Sequence, residues 1–271
     1  MRIKTGFYPL VLFTAVSCVT PRAYFMSPAD INTNSYHTLP MVADSQKSAS
    51  YADLVFNTGG SNQELEDIVL GGRLDLHRAH QFGKFQAYYG AGLSLGNYQV
   101  ADAYHFSNTY SGTGNDTAYH FRKADKFYGI CGLNGGINLV IPFGNGRGEW
   151  RAIGLETSFQ KEFGDYLRYR KGIPDSVVDV LATYDRMFTL GGMTEIVGKT
   201  RHGTEFGFKM AWGGILFPRG NYRGDESHDR PFYFYNTLHI TKKRVTGFLQ
   251  VNIGDHAASF MFGVNYRISK K

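Results

Sequence analysis

Four residues, "HFSN" from His105 to Asn108, have the types and order of a hydrolytic pair. An imidazole two positions before a hydroxyl can take its proton and make Ser107 a nucleophile toward an ester. The surrounding stretch, "ADAYHFSNTYSGTGNDTAYH", is a long polar loop in which no acid is clearly placed to orient His105, so an ordered surface loop accounts for the same residues. A second polar cluster, Asp225, Glu226, His228 and Asp229 in "GDESHDR", reads as a solvated loop tip, because catalytic sets are usually drawn from several loops. His77 and His80 lie three apart, on opposite faces of a strand, so no metal site and no cofactor is read from them. The remaining chemistry is electrostatic. Arg73, Asp75, Glu156, Glu195, Glu205, Lys209, Arg244 and Arg267 are isolated charges of both signs, each set in an alternating apolar segment.

The segments that carry these charges identify their setting. In "EDIVLGGRLDLHRAH", a period of two puts Ile68, Leu70, Leu74 and Leu76 on one face and Arg73, Asp75 and His77 on the other. The pattern recurs in "YADLVFN", "FQAYYGAGLSLGN", "FYGICGLNGGINLVI", "IGLETSFQ", "MFTLGGMTEIV", "TEFGFKMAWGGIL", "FYFYNTLHIT", "RVTGFLQVNIG" and "SFMFGVNYRIS". A soluble sandwich would clothe its outer face in Lys and Glu. Here the second face is Gly, Ser, Asn, Gln and Tyr, which suits a narrow, hydrogen-bonded interior, and the aliphatic face then meets lipid. Short turns such as "HQFGK" and "GKTRHG" alternate with long polar stretches at 98–125, 163–183 and 217–230, the asymmetry of a transmembrane barrel. The fold expected is an all-β antiparallel transmembrane barrel of ten strands, with eight as the alternative, because "TKKR" lacks the Gly or Asn of a tight hairpin and a bulge there would merge two segments.

Composition agrees with this reading. Of 271 residues, 42% are hydrophobic and 15% aromatic, Gly numbers 33, and charged residues reach only 19%, below the usual level of roughly 25%. The net charge of +6 is spread along the chain with no basic run, which argues against nucleic acid as a partner. The N-terminus carries Arg2 and Lys4, then the short apolar run "FYPLVLFTAV", and reads as a signal peptide over 1–17. Residues 18–49 show Pro, Asn and Ser punctuation without periodicity and are expected to form a tether, with the barrel domain over 50–271.

"TAVSC" resembles a lipobox, which implies that Cys18 becomes an acylated N-terminus. From Cys18 onward the chain resembles the small outer-membrane β-barrel lipoproteins of Gram-negative bacteria. The resemblance implies a bacterial outer-membrane location, with the anchor in the periplasmic leaflet because no acidic run follows Cys18. "HFSN" locally resembles the lipid A deacylases of the same membrane, in which His and Ser share the outward face of a strand. With Tyr88, Tyr128 and Phe248 facing inward, the lumen is expected to be plugged. The function expected is a non-catalytic accessory or anchoring subunit, in contact with outer-membrane lipid and other outer-membrane proteins. A narrow pore, or a lipid A deacylase using His105 and Ser107, is the alternative.

Overall fold

The computed structural model describes residues 23–31, 34–44, 47–60, 66–106, 118–217, 222–223, 232–254 and 256–269. Ten antiparallel strands close into a barrel. They are β1 (Ser48–Gly60), β2 (Ile68–Phe82), β3 (Phe85–Val100), β4 (Ala124–Phe143), β5 (Gly148–Gly164), β6 (Arg186–Lys199), β7 (Thr204–Phe217), β8 (Phe232–Lys242), β9 (Val245–Gly254) and β10 (Ala258–Arg267). Each pairs with its sequence neighbours, and β10 returns to β1 with Arg267 opposite Tyr51 and Ala258 opposite Gly60. The "TKKR" segment is a two-residue hairpin, since Lys242 pairs with Val245. Lys243 supplies the left-handed residue itself, at φ 60°, where Gly or Asn is usual.

Alternation along the strands sorts side chains between lipid and lumen. Leu74, Leu76 and Ile153 stand on the outside, 61%, 63% and 68% exposed, within a belt of Leu, Ile and Phe that circles the barrel, as a hydrocarbon solvent demands. Cys131 also faces outward. The inward face is buried and polar. Glycine lets large inward rings lie flat on the wall. Gly96 pairs with Tyr128 on the neighbouring strand, and a Cβ at Gly96 would come within 2.5 Å of the ring carbon Cζ.

The main departure from the expected domain plan is the N-terminal segment. Read as a tether hanging from the barrel, the described part of 18–49 instead runs through the lumen. Tyr24 and Phe25 pair in parallel with Val180 and Leu181, in the long connection between β5 and β6. A one-turn helix, Pro28–Ile31, follows. Residues 34–41 then run buried down the lumen, and the chain leaves at the short-turn end, where Lys47 O accepts from Gln81 N, before entering β1. The described N-terminal end therefore lies at the long-loop end of the barrel. Irregular, Pro-punctuated sequence marks a lack of strand pairing. It is equally the signature of a free tether and of a segment whose backbone is held by side chains.

At the long-loop end the connections form a cap with a core of its own. Tyr24–Phe25, Val180–Ala182 and Tyr222–Arg223 make a small three-stranded sheet. Under it Phe25, Met26, Tyr98, Tyr128, Tyr166 and Leu181 are almost fully buried together.

Candidate functional site

The lumen is the site where the chain concentrates its buried chemistry. At its centre the Arg151 guanidinium donates from Nη1 to Glu195 Oε2 at 2.7 Å and from Nε to Glu149 Oε1 at 2.9 Å, with Nη2 2.7 Å from the same Glu149 oxygen and all three side chains about 1% exposed. Glu195 Oε1 also accepts from Tyr36 OH at 3.0 Å and lies 2.8 Å from His239 Nε2. Beside this group Glu156 accepts from Tyr88 OH at 2.7 Å, from Tyr235 OH and from Lys209 Nζ, and the ammonium lies 5.4 Å from the Tyr235 ring centre. Arg73 Nε meets Asp75 Oδ2 at 2.7 Å, and Ser35 of the threaded segment donates to the same oxygen at 3.1 Å. Charges taken this far from water persist only when paired and hydrogen-bonded, and these are.

Five of the eight charges singled out in the sequence, Arg73, Asp75, Glu156, Glu195 and Lys209, are buried in this interior. The other three, Glu205, Arg244 and Arg267, sit at the short-turn rim. They border an open cavity of about 740 Å³ together with Tyr51, Lys199 and Lys243. There Lys199 bridges Asp44 at 2.8 Å and Glu205 at 2.9 Å.

Arg151 and Glu149 escaped the sequence reading for a specific reason. Alternation carried back from Glu156 assigns Gly154, Ala152 and Trp150 to the lumen and Arg151 to lipid. The structure breaks that phase at Ala152, where the β5 register shifts against both β4 and β6. A bulge inserts one residue and moves every side chain beyond it to the other face. Glu149 and Arg151 thereby share the lumen with Glu156, and Trp150 turns outward, 44% exposed.

Wall side chains replace strand pairing along the threaded segment. Gln250 Nε2 donates to Asn34 O at 2.7 Å, Asn265 Nδ2 to Tyr36 O at 3.3 Å, Arg151 Nη2 to Leu39 O at 3.2 Å and Gln86 Nε2 to Pro40 O at 2.9 Å. In return Val42 N donates to Glu149 Oε2 at 2.8 Å and Thr38 Oγ1 to Asn265 Oδ1 at 2.6 Å. An extended chain in a buried lumen leaves its peptide groups without strand partners, and inward Asn, Gln and Arg side chains satisfy the carbonyls of Asn34, Tyr36, Leu39 and Pro40.

In the cap, Glu162 holds Arg170 and accepts from Ser27 Oγ, and Arg170 Nη1 donates to Ala182 O at 2.6 Å. His105 is buried here at 5% exposure, in a hairpin of Ala103–Phe106 with Ala118–Phe121, and its Nε2 stands 3.5 Å from Asp179 Oδ2. That carboxylate already accepts from Ala23 N at 2.6 Å. Sequence gave His105 no acid, whereas the fold brings one from a different loop and seats the pair inside the cap. Ser107, the cluster at Asp225, Glu226, His228 and Asp229, and Cys18 lie outside the described residues.

Asp30, in the one-turn helix beneath the cap, accepts from Tyr184 OH at 2.5 Å and from Ser27 N at 3.1 Å. Burial pushes its carboxyl up from 3.8 to about 7, and the Tyr184 bond and nearby Arg170 pull it back only in part. A raised acid holds its proton in the folded state over that window, so it stabilises below the unfolded value, and this contribution is lost as pH rises from about 4 to about 7. Asp30→Asn should flatten the corresponding part of the unfolding midpoint against pH. Parallel curves for parent and variant would show that Asp30 does not titrate there.

No family model matches the chain, and no curated protein matches it. Solved structures similar to it include the β domain of the Bordetella autotransporter BrkA, 12% identical over 82% of this chain and 99% of that one, with a TM-score of 0.41. An outer-membrane channel from Pseudomonas putida F1 is 9% identical, covering 86% of this chain and 98% of its own, also with a TM-score of 0.41. The translocator domain of the autotransporter NalP from Neisseria meningitidis is 9% identical over 82% and 89% of the two chains, with a TM-score of 0.39.

Proposed function

We propose that the chain is a closed bacterial outer-membrane barrel that works as an accessory or anchoring subunit, its lumen occupied by its own N-terminal segment. The observation that supports this is the run of buried residues from Asn34 to Met41, hydrogen-bonded to the wall along its length. A lumen filled in this way has no use as a conduit, and what remains for partners is the aromatic belt, the cap and the N-terminal end. Cys18 precedes Ala23 by five residues, which span at most about 18 Å. That is short of a hydrocarbon core of about 30 Å. An acylated Cys18 therefore belongs to the long-loop side, and the anchor would sit in the outer leaflet instead of the periplasmic one.

In planar bilayers the full-length protein should give no steady conductance, and co-purification from native membranes in mild detergent should bring down a stable neighbour. Steady ion-selective current from the intact chain would establish the pore instead. Loss of one acyl chain from cellular lipid A, abolished by Ser107→Ala, would establish the deacylase.

A further inference from the structure

Where the threaded segment passes β1 and β2, three potential ligands converge. His37 comes from the segment, Asp53 from β1 and His77 from β2, all buried, with one ligand atom from each lying within 4.8 Å of the others. His77 is held between two acceptors: its Nε2 is 3.1 Å from Thr38 O and its Nδ1 is 2.7 Å from Asp53 Oδ2. A carbonyl can only accept, so a neutral ring keeps its single N–H on Nε2. Its Nδ1 lone pair then faces a carboxylate oxygen, and something positive must lie between them.

His37 sharpens the case. It is 3% exposed, and among the described residues neither of its ring nitrogens makes a well-formed hydrogen bond, the backbone of Ser35 offering only a weaker polar contact. Asp53 Oδ1 likewise makes no well-formed hydrogen bond, although the Asn265 side chain also acts on that carboxylate. Buried polar atoms of native proteins are rarely left so. The rings are nevertheless fixed, with His37 stacked on Tyr88 at 4.9 Å and His77 on Tyr51 at 4.7 Å between ring centres. A histidine that donates one nitrogen to a carbonyl and presents the other to a carboxylate is oriented as metal-bound histidines are.

We propose that His37, Asp53 and His77 form a site for a divalent transition-metal ion that ties the threaded segment to the barrel wall. Two imidazoles and one carboxylate suit zinc or a first-row neighbour, with a water or Asp53 Oδ1 completing the shell, whereas calcium and magnesium need more oxygens. The site lies in the wall-to-plug contact and stands whether or not the barrel serves as a subunit.

The test uses the refolded full-length chain, stripped with chelator and titrated with Co²⁺ as a spectroscopic probe, then with Zn²⁺ as competitor. The parent should take up about one equivalent and develop visible d–d absorption that Zn²⁺ abolishes. His37→Ala and the near-isosteric Asp53→Asn should each bind at least roughly tenfold more weakly, whereas His202→Gln, in the short turn between β6 and β7, should bind as the parent does. Heat-modifiable gel mobility reports folding of each variant. No d–d band in the folded parent would overturn the proposal, leaving a proton alone between His77 and Asp53. Uptake retained by folded His37→Ala and Asp53→Asn would overturn it equally, since the metal would then be on surface histidines.

Discussion

A barrel lacking residues 24–46 should conduct ions steadily in planar bilayers where the full chain is silent. Eight strands close around a space that wall side chains alone just fill. Ten strands leave a wider lumen, and here the surplus width is occupied by one extended chain. Removing it strips Gln250, Asn265, Gln86 and Arg151 of the peptide oxygens they hold. Water takes those positions, and a connected file of it is a path for ions. The exposed wall carries Asp53, Asp75, Glu149, Glu156 and Glu195 against Arg73, Arg151 and Lys209, all buried in the intact chain, so the current should favour cations. Silence from a deletion variant that still shows heat-modifiable mobility would mean that the wall closes itself and the segment is not the closure.

Arg151→Leu should be among the most damaging single substitutions in the lumen, costing about 3–5 kcal/mol. The leucine matches the stem of the side chain but leaves Glu149 and Glu195, each about 1% exposed, without their shared cation. Glu156→Leu acts through the same physics with opposite sign, stranding the Lys209 ammonium among Tyr36 and Tyr235. By contrast Lys199→Leu, at a rim position about a quarter exposed, should cost about 1 kcal/mol or less. Urea titration followed by gel mobility ranks the three. If Arg151→Leu and Lys199→Leu shift the midpoint equally, the central lumen is wet, and its carboxylates are compensated by water.

The belt was legible because lipid enforces a strict rule on every second residue, and Leu54, Leu74, Leu249 and Phe262 obey it without exception along their strands. The ten-strand order followed from the same pattern together with the short turns. What sequence could not supply were the events that break periodicity. Ala152 carries no mark of a bulge, yet it moves Arg151 from the lipid face to the middle of the network. His105 and Asp179 are more than 70 residues apart, in loops that only the cap brings together. The segment around His37 has no pattern because its partners are not in a ladder. Its signal lay elsewhere, in the inward Asn and Gln of β3, β9 and β10, whose amides faced no obvious partner until a peptide backbone was laid between them.

The threaded segment also couples the two mouths of the barrel mechanically. One end is pinned at the long-loop end by its pairing with Val180–Leu181, and the other continues covalently into β1 at the opposite mouth. Held at both mouths, the segment can leave the lumen only after its pairing in the cap is broken. The arrangement is a mechanical interlock: the segment cannot swing aside as a hinged gate does, and its release requires either dismantling the cap or reopening the β10–β1 seam.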